Sequence, residues 1–547
     1  MVSKDVMLSL ALALGLTSLS DGAPVDANSA MSTGRSSYGK RVEDQATTMM
    51  YDFEDIEASR ELEWTPCFES FRCAKLTVPL QYDDPAQGDM DIAYIRYDSV
   101  NGTGQDIMYN PGGPGSSGVS GLIGSLKDFI KTFGSEYNFV SFDPRGVNNS
   151  GTILSCESGY PQFSSPAPIN VLWAQTKVSG ENCTRNNVNT TARFDGTVAN
   201  VQDMIHFTEL QAKANGRDPA KEKIWYYGVS YGTLMGQTLA ALYPDRLGRI
   251  ILDSNVDGVF QYEGYDPTQF EGLEIEIKNY FFKWCSEAGA DFCPLAANTT
   301  DASGVQQRYD TVLKKLDEEP YILPDSNRII TRESMEDSNF NSWYSPPSGF
   351  YGIAKRIAEA YSDTLTEADF PTEDGESLGD ATQMVNCIDA AGRFPFKSAK
   401  EYEQAVNAVR NSSSEYWWKS FASTDALSCN GFNILPPKSQ LFPGFKETKT
   451  SIPILFINDL GDPVTPLVSA FRMSAFFPGS RVLTVDAPGH SFLATGSQCV
   501  DQHARAYLKD GTMPPEDAIC NIDVTPTEVF ARGKDAFETI SSPPDES

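Results

Sequence analysis

Histidine is scarce in this chain, and the scarcity limits the reactions that the sequence allows. Only three histidines occur among 547 residues, at His206, His490 and His503. Zinc sites generally use several histidines or closely spaced cysteines, and the sequence contains no C-x-x-C pair. We therefore expect no metal site, and the chemistry assigned to the residues below implies no cofactor. If the protein catalyses a reaction that needs an imidazole, one of these three histidines must supply it.

Basic residues are also few. The chain has 43 Lys and Arg against 74 Asp and Glu, which gives a formal net charge of −31. Nucleic-acid binding depends on clustered Lys and Arg that neutralise phosphates, so we expect no nucleic-acid partner. Hydrophobic residues make up 40% of the chain and aromatic residues 11%, which excludes disorder for most of it and allows one large core or two moderate ones.

The apolar run at residues 6–19 is too short and too poorly flanked for a stable membrane span. Asp21 and Gly22 end it, which predicts a signal peptide over residues 1–23, with a membrane anchor as the alternative. The sequence leaves the cleavage site open. We therefore expect a secreted, extracellular protein with no stable membrane anchor.

Cysteines and glycosylation sequons agree with export. Ten cysteines indicate structural disulfides, and spacing suggests three local pairs: Cys67–Cys73, Cys285–Cys293 and Cys499–Cys520. The other four can pair as neighbours in chain order: Cys156, Cys183, Cys387 and Cys429. Sequence alone leaves this connectivity open. Six N-x-S/T sequons predict glycosylation at Asn101, Asn148, Asn182, Asn189, Asn298 and Asn411.

The order of the local patterns predicts an α/β fold. Residues 24–60 are polar and without sustained periodicity, which predicts a mobile extension or a removed pro-segment. From residue 73 onward, strand patterns alternate with helical ones, as in a mostly parallel sheet covered by helices on both faces. The predicted strands are 74–82, 90–98, 107–109, 139–142, 224–227, 249–252, 452–457 and 481–485. The predicted helices of this alternation are 198–214, 233–243, 468–477 and 502–509.

The alternation is interrupted between residues 256 and 445. Amphipathic helix patterns, such as 270–284 and 401–409, occur there among Pro-rich and Gly-rich loops. We predict one α/β domain with core segments at 61–255 and 446–547, split by an inserted, mainly helical lid over 256–445.

A serine nucleophile is indicated where the strand at 224–227 runs into Gly228-Val229-Ser230-Tyr231-Gly232 and then into a helix. This is the G-x-S-x-G pattern in the setting that its chemistry needs. Glycines two before and two after the serine permit a sharp turn that lifts the hydroxyl above the sheet edge. The alternative is a Gly-rich turn with an incidental serine. We predict that Ser230 is the nucleophile.

A serine hydroxyl needs a base, and in folds with this motif the acid and the histidine follow the serine in the chain. His490 follows a predicted strand and is the expected base. His503 lies within a predicted helix and His206 lies upstream, so both fit this role less well. The acid is expected after the preceding strand, where Asp462 is preferred and Asp459 is the alternative, expected to form a turn.

The tetrahedral intermediate needs backbone donors for its oxyanion. The N–H of Tyr231 is one, and the Gly-rich loop at 110–118 offers Gly113, with Gly112 second. Gly113 to Gly118 also spells G-x-G-x-x-G, the dinucleotide-binding pattern. That reading, an oxidoreductase, is disfavoured because Pro114 stiffens the turn, the loop is outside the first βαβ unit, and a complete Ser/Asp/His set already uses it.

Four ordered motifs together resemble the secreted tripeptidyl aminopeptidase-like (TAP-like) branch of the α/β-hydrolase superfamily, which is related to the prolyl aminopeptidases. They are Asn-Pro-Gly-Gly-Pro-Gly at 110–115, Asp-Pro-Arg-Gly-Val at 143–147, Gly-Val-Ser-Tyr-Gly at 228–232, and Asp-Pro-Val-Thr-Pro at 462–466 with Gly489-His490. Two positions depart from the pattern. Pro111 replaces the histidine before the paired glycines, and Asn148-Asn149 replaces a glycine expected after Asp-Pro-Arg-Gly-Val.

The resemblance implies an α/β-hydrolase fold and a serine exopeptidase that releases short peptides or single residues from free N-termini. It also implies Ser230, Asp462 and His490 as the triad, with Gly113 and Tyr231 as oxyanion donors. A carboxylesterase for small acyl esters is the alternative, because the family contains such enzymes, and a non-enzymatic binding protein is a further one. An aminopeptidase needs a carboxylate for the substrate ammonium, and the lid offers Glu263, Glu271, Glu274 and Glu276.

Overall fold

A computed structural model describes residues 49–100, 104–156, 168–299, 301–323, 326–370, 379–412, 416 and 427–541. The predicted signal peptide and the first part of the predicted extension lie outside these ranges, as do Asn101 and the side chain of Asn411. Within the described residues, no helix is both long enough and apolar enough to cross a membrane.

Within the described residues, the centre of the fold is an eleven-stranded sheet, and a separate antiparallel pair, β9 and β10, lies in the lid. In chain order the strands are β1 (Ala58–Ser59), β2 (Thr65–Cys67), β3 (Phe71–Pro79), β4 (Asp89–Tyr97), β5 (Asp106–Asn110), β6 (Asn138–Phe142), β7 (Ile224–Val229), β8 (Leu247–Asp253), β9 (Tyr321–Ile322), β10 (Ile329–Ile330), β11 (Leu455–Gly461), β12 (Arg481–Pro488) and β13 (Ile519–Asn521). All eight predicted strands are present, with ends shifted by up to four residues.

The sheet has the strand order β1-β3-β4-β6-β5-β7-β8-β11-β12-β13, with β2 paired to β3. The pairs β3–β4 and β4–β6 are antiparallel, and every pair from β6 through β13 is parallel. The carboxyl ends of these parallel strands therefore lie at one edge, where α/β folds place their sites. The predicted α/β-hydrolase fold class is confirmed.

Helices cover both faces of the sheet. The described helices are α1 (Gly118–Phe133), α2 (Ile169–Asn187), α3 (Thr197–Ala214), α4 (Tyr231–Leu242), α5 (Gly258–Gln261), α6 (Glu271–Ile275), α7 (Phe282–Ala288), α8 (Ala302–Glu318), α9 (Arg332–Tyr344), α10 (Pro346–Tyr361), α11 (Gly379–Ala390), α12 (Ala399–Ser412), α13 (Leu467–Ser474), α14 (Gln498–Asp510) and α15 (Pro526–Ser541). Adjacent strand residues alternate between the faces: Tyr226 packs with the α3, α4 and α13 side, and Tyr227 with the α1 and α14 side.

The lid has its own hydrophobic core, formed between β8 and β11 in the chain. Two elements from outside the expected lid segment join it, because Leu172 of α2 and Phe530 of α15 are buried in the same cluster. The helix expected at 270–284 is divided into α6, a π-helical turn over Glu276–Phe281, and α7.

Five disulfides are present, and their connectivity is the neighbour pairing that the sequence suggested. They are Cys67–Cys73, Cys156–Cys183, Cys285–Cys293, Cys387–Cys429 and Cys499–Cys520.

The expectation of a mobile extension through residue 60 is wrong for residues 49–60. Strand β1 pairs with β3, placing Ala58 opposite Lys75, and Phe53 and Ile56 are buried in the core. A short apolar pair without periodicity gave no signal of this docking, which depends on contacts with a distant strand.

Candidate active site

The predicted nucleophile lies at a sharp turn between β7 and α4. Ser230 has φ 56° and ψ −127°, a left-handed conformation that is unusual for a residue other than glycine. A Cβ added to Gly228 would lie 2.4 Å from the carbonyl oxygen of Gly232, and one added to Gly232 would lie 2.5 Å from that of Asn110. Both glycines of G-x-S-x-G are therefore required by close packing of the backbone around the serine.

Asp462 and His490 form a hydrogen-bonded pair. Nδ1 of His490 is 3.0 Å from both carboxylate oxygens of Asp462, which is fully buried. The carboxylate also accepts the N–H groups of Val464 (3.0 Å) and Thr465 (2.8 Å) and the hydroxyl of Thr465 (2.7 Å). These bonds fix the carboxylate, which in turn favours the imidazole tautomer with its proton on Nδ1.

The other imidazole nitrogen is available for proton transfer. Nε2 of His490 is buried and has no hydrogen-bond partner among the described residues, so it makes no hydrogen bond with Ser230 in this structure. Catalytic hydrogen bonds are often long in enzymes without substrate and shorten when substrate binds. Tyr344, in the lid, contacts His490 in two ways. The backbone N–H of His490 donates to the carbonyl oxygen of Tyr344 (2.9 Å), and the two rings meet edge-on with their centroids 5.0 Å apart.

The sheet order brings these residues to one edge. Ser230 follows β7, Asp462 follows β11 and His490 follows β12, and the four strands β7, β8, β11 and β12 are consecutive neighbours in the sheet. The strand between the serine and the acid, β8, ends at Asp253, which the sequence reasoning missed.

Asp253 links the nucleophile turn to the histidine loop. Its carbonyl oxygen accepts the N–H of Ser230 (3.1 Å), and its carboxylate accepts the hydroxyls of Ser491 (2.5 Å) and Tyr227 (3.0 Å). Burial raises the pKa of Asp253 to about 7, and the Ser491 and Tyr227 hydroxyls oppose the shift. Its position at the end of a buried strand was the one signal in the sequence.

The alternative acid, Asp459, is not the turn former that the sequence suggested. It lies inside β11, is fully buried, and neither of its carboxylate oxygens has a hydrogen-bond partner among the described residues. Burial raises its pKa well above the usual range, and the charges of Asp253 and Asp462 add to the effect. The strand extends to Gly461, beyond its predicted end at 457, and so includes this residue.

Backbone donors for an oxyanion are present beside Ser230. The N–H of Gly112 donates to the side chain of Asn110 (3.0 Å), which leaves Gly113 as the better donor in this loop. A Cβ on Gly112 would lie 2.8 Å from Cβ of Ser230, so the loop contacts Ser230 directly. Among the described residues, no acceptor is bonded to the N–H of Gly113 or of Tyr231.

Asn148 and Asn149, which depart from the family pattern, both form hydrogen bonds with Asp143. Its carboxylate accepts the hydroxyl of Ser117 (2.6 Å) and the N–H of Val119 (3.1 Å), at the start of α1 behind the oxyanion loop. The amide groups of Asn148 (3.1 Å) and Asn149 (2.9 Å) donate to its second oxygen. The two asparagine side chains therefore supply hydrogen bonds to Asp143 that glycine, which has no side-chain donor, could not supply.

The other two histidines lie away from this edge. His206 lies on α3 against the ring of Tyr82, at 5.5 Å, and burial lowers its pKa. His503 lies on α14 within 4.8 Å of Cys499 and Cys520, but these two sulfurs are bonded to each other. A disulfide provides no thiolate for a metal, so this group does not suggest a metal centre.

Comparison with known proteins gives one family match and several similar proteins. Residues 414–520 match the family described as TAP-like protein. The chain is 27% identical over 492 residues to the serine protease Hip1 of Mycobacterium tuberculosis, covering 84% of this chain and 91% of that protein. It is 24% identical over 498 residues to a tripeptidyl aminopeptidase of Streptomyces coelicolor, covering 87% of this chain and 86% of that protein.

A third relative carries a different activity in its name. The chain is 24% identical over 474 residues to carboxylesterase B of Mycobacterium tuberculosis, covering 82% of this chain and 86% of that protein. The resemblance to the TAP-like branch of the α/β-hydrolases is confirmed, and these relatives support a serine hydrolase.

Proposed function

We propose that this chain, similar to the TAP-like α/β-hydrolases, is a secreted serine exopeptidase that releases short peptides or single residues from free N-termini. The observation that carries the proposal is the buried Asp462–His490 pair, whose free Nε2 lies at the same sheet edge as the strained Ser230 turn.

Each group has a defined step. Nε2 of His490 accepts the Ser230 proton as Oγ attacks the substrate carbonyl, and Asp462 stabilises the imidazolium. The N–H groups of Gly113 and Tyr231 stabilise the oxyanion. His490 then gives its proton to the leaving amine, which departs and leaves an acyl-enzyme on Ser230. Water, deprotonated by His490, attacks this ester and releases the acid product with Ser230 restored.

Of the four lid glutamates, Glu271 fits the recognition of a substrate ammonium best. Glu276 is fully buried and without a hydrogen-bond partner among the described residues, and burial raises its pKa well above the usual range. Glu274 pairs with Lys278, and Glu263 is exposed. Glu271 is half-buried, and its neighbour Gly272 packs directly on the backbone of Asp462. A partly desolvated carboxylate, on a residue next in the chain to one that contacts Asp462, suits a free N-terminus.

Ester hydrolysis is the second candidate function, because one relative is named a carboxylesterase. A matched set of chromogenic substrates separates the two: a free-amino tripeptide anilide, its N-blocked twin, a prolyl anilide and a short-chain acyl ester. Cleavage of the free tripeptide anilide or the prolyl anilide, but not the blocked peptide, would support the exopeptidase. Turnover of the ester alone, abolished by Ser230→Ala, would refute it in favour of the esterase.

Secretion and glycosylation form a separate part of the proposal. Five disulfides suit an oxidising compartment. Asn189 and Asn298 are exposed, as glycan acceptors must be. Expression of the full chain in a eukaryotic secretion host is expected to give protein in the medium whose mass falls on treatment with a peptide N-glycosidase. Retention inside the cell with an intact N-terminus would contradict it.

A further inference from the structure

One lid helix, α11, contacts both segments that carry the oxyanion donors. At its beginning, the hydroxyl of Thr382 donates to the carbonyl oxygen of Pro114 (2.6 Å), the residue after Gly113. Beside it, Cβ of Ala381 would lie 2.9 Å from a Cβ on Gly115, so the helix rests directly on this loop. The Gly113 donor is therefore held from the lid side.

The other end of α11 reaches the second donor through a chain of hydrogen bonds. Both carboxylate oxygens of Asp389 bind Thr197: one accepts its N–H (2.8 Å) and the other its hydroxyl (2.5 Å). The Thr197 oxygen is 2.5 Å from the hydroxyl of Tyr231. A threonine hydroxyl has one proton, and here it goes to the carboxylate, so the Tyr231 hydroxyl is the donor to Thr197. All three side chains are buried.

The spacing on α11 suits this double contact. Thr382 and Asp389 are seven residues apart, which is about two helical turns and places both on the same face. The helix is also tied to the rest of the lid by the Cys387–Cys429 disulfide. Asp389 in addition satisfies the first N–H of α3, because Thr197 is the first residue of that helix.

We propose that Asp389 is a positioning residue for the oxyanion hole, which holds Tyr231 through Thr197 while Thr382 of the same helix holds the Gly113 loop. This inference rests on the proposed function, because it takes Gly113 and Tyr231 as the oxyanion donors. It makes the lid a part of the catalytic machinery and not merely a cover over the substrate. A shift of α11 would displace both donors at once.

Three substitutions interrupt the chain at successive points: Asp389→Asn, Thr197→Val and Tyr231→Phe. Tyr82→Phe is the matched control, since it removes a tyrosine hydroxyl that donates to a different carboxylate, Asp203 on α3 (2.8 Å). Turnover of the free-amino tripeptide anilide is measured for each variant, together with the ester. Rates are divided by the concentration of Ser230 that a fluorophosphonate labels to completion, so misfolded protein does not count.

Each of the three variants is expected to lose about tenfold in kcat, because a displaced donor weakens stabilisation of the oxyanion. KM is expected to stay within about twofold, and Tyr231→Phe combined with Asp389→Asn is expected to add no further loss, since both act through one chain of bonds. Tyr82→Phe is expected to match the wild type.

Three results would overturn the inference: wild-type kcat per labelled serine in all three variants, additive losses in the combined variant, or an equal loss in Tyr82→Phe. If Asp389→Asn fails to fold, Tyr231→Phe and Thr197→Val still decide it. Failure of the proposed function is recognised separately in the wild-type protein, which would then cleave the ester alone or no substrate. The inference is instead decided by the rates of the variants relative to the wild type on a substrate that the wild type cleaves.

Discussion

The carboxylate of Asp253 accepts a hydrogen bond from the hydroxyl of Ser491, the residue next to His490, at 2.5 Å. Because the carbonyl oxygen of Asp253 also accepts the N–H of Ser230, one residue at the end of β8 connects the Ser230 turn to the loop that carries His490. Asp253 and Asp459 are both fully buried, and their charged forms are disfavoured there. This edge of the sheet therefore combines the candidate catalytic pair with two buried acids whose pKa values are raised by burial.

Two buried acids, Asp253 and Asp389, make the stability of the fold dependent on pH. Burial raises the pKa of Asp253 and of Asp389 to about 7, above the value of about 4 in an unfolded chain. The folded state then binds more protons between these values, so their contribution is complete below about pH 4 and is lost as pH rises through about 7. Thermal unfolding followed by circular dichroism is expected to give a higher Tm at pH 5 than at pH 7.5. A Tm that rises over this interval would contradict the account.

The triad acid is tested by a pair of equivalent substitutions. Asp462→Asn removes the charge that orients His490 and is expected to lower kcat by about 10⁴-fold. Asp459→Asn is expected to leave the end of β11 nearly unchanged, because the Asp459 carboxylate has no hydrogen-bond partner among the described residues. Its kcat is therefore expected to stay within about threefold of the wild type. Steady-state kinetics on both variants decides between the two acids. A larger loss for Asp459→Asn would reverse the assignment.

Recognition of the substrate amine is tested at Glu271. Glu271→Gln is expected to raise KM for the free-amino tripeptide anilide by about tenfold, the equivalent of one charge-assisted hydrogen bond, and to leave ester turnover unchanged. Glu274→Gln is the matched control, since Glu274 pairs with Lys278. Equal KM values for wild type and Glu271→Gln on the free-amino substrate would exclude Glu271 from amine binding.

The packing around the nucleophile is tested by two Gly→Ala substitutions. Gly232→Ala would place a Cβ 2.5 Å from the carbonyl oxygen of Asn110 and is expected to cost about 2 kcal/mol or more in the free energy of unfolding. Gly124→Ala, in α1, meets no atom within 4 Å and is expected to be neutral or to stabilise by about 0.5–1 kcal/mol. Urea denaturation of both variants measures the difference. Equal stability would show that the turn has room for a side chain.

Much of the site was predictable because its chemistry is local in the sequence. Ser230, Asp462 and His490 each follow a strand with a recognisable apolar pattern, and the order of the strands brings the three together. Asp253 also follows a predicted strand, but nothing in the sequence indicated its partners, and Asp389 lies within a helix without any such signal. Their roles depend on bonds to residues more than 190 positions away, Ser491 and Thr197 respectively, which no local pattern encodes.

The sequence indicated where the strand–helix alternation is interrupted, but not what packs together there. In the structure, α2 and α15 join the lid core from distant parts of the chain. Burial of Leu172 and Phe530 in that core depends on tertiary packing. An amphipathic pattern in the sequence predicts that a helix has an apolar face, but it does not predict which surface covers that face.

Covalent labelling of the purified wild-type protein tests the central claim most directly. A fluorophosphonate probe is expected to modify one residue, Ser230, as mapped by peptide mass spectrometry, and a free-amino tripeptide substrate is expected to slow the reaction. Ser230→Ala is expected to remain folded and unlabelled. Absence of labelling in the folded wild-type protein, or labelling that persists in Ser230→Ala, would contradict the assignment of Ser230 as the nucleophile.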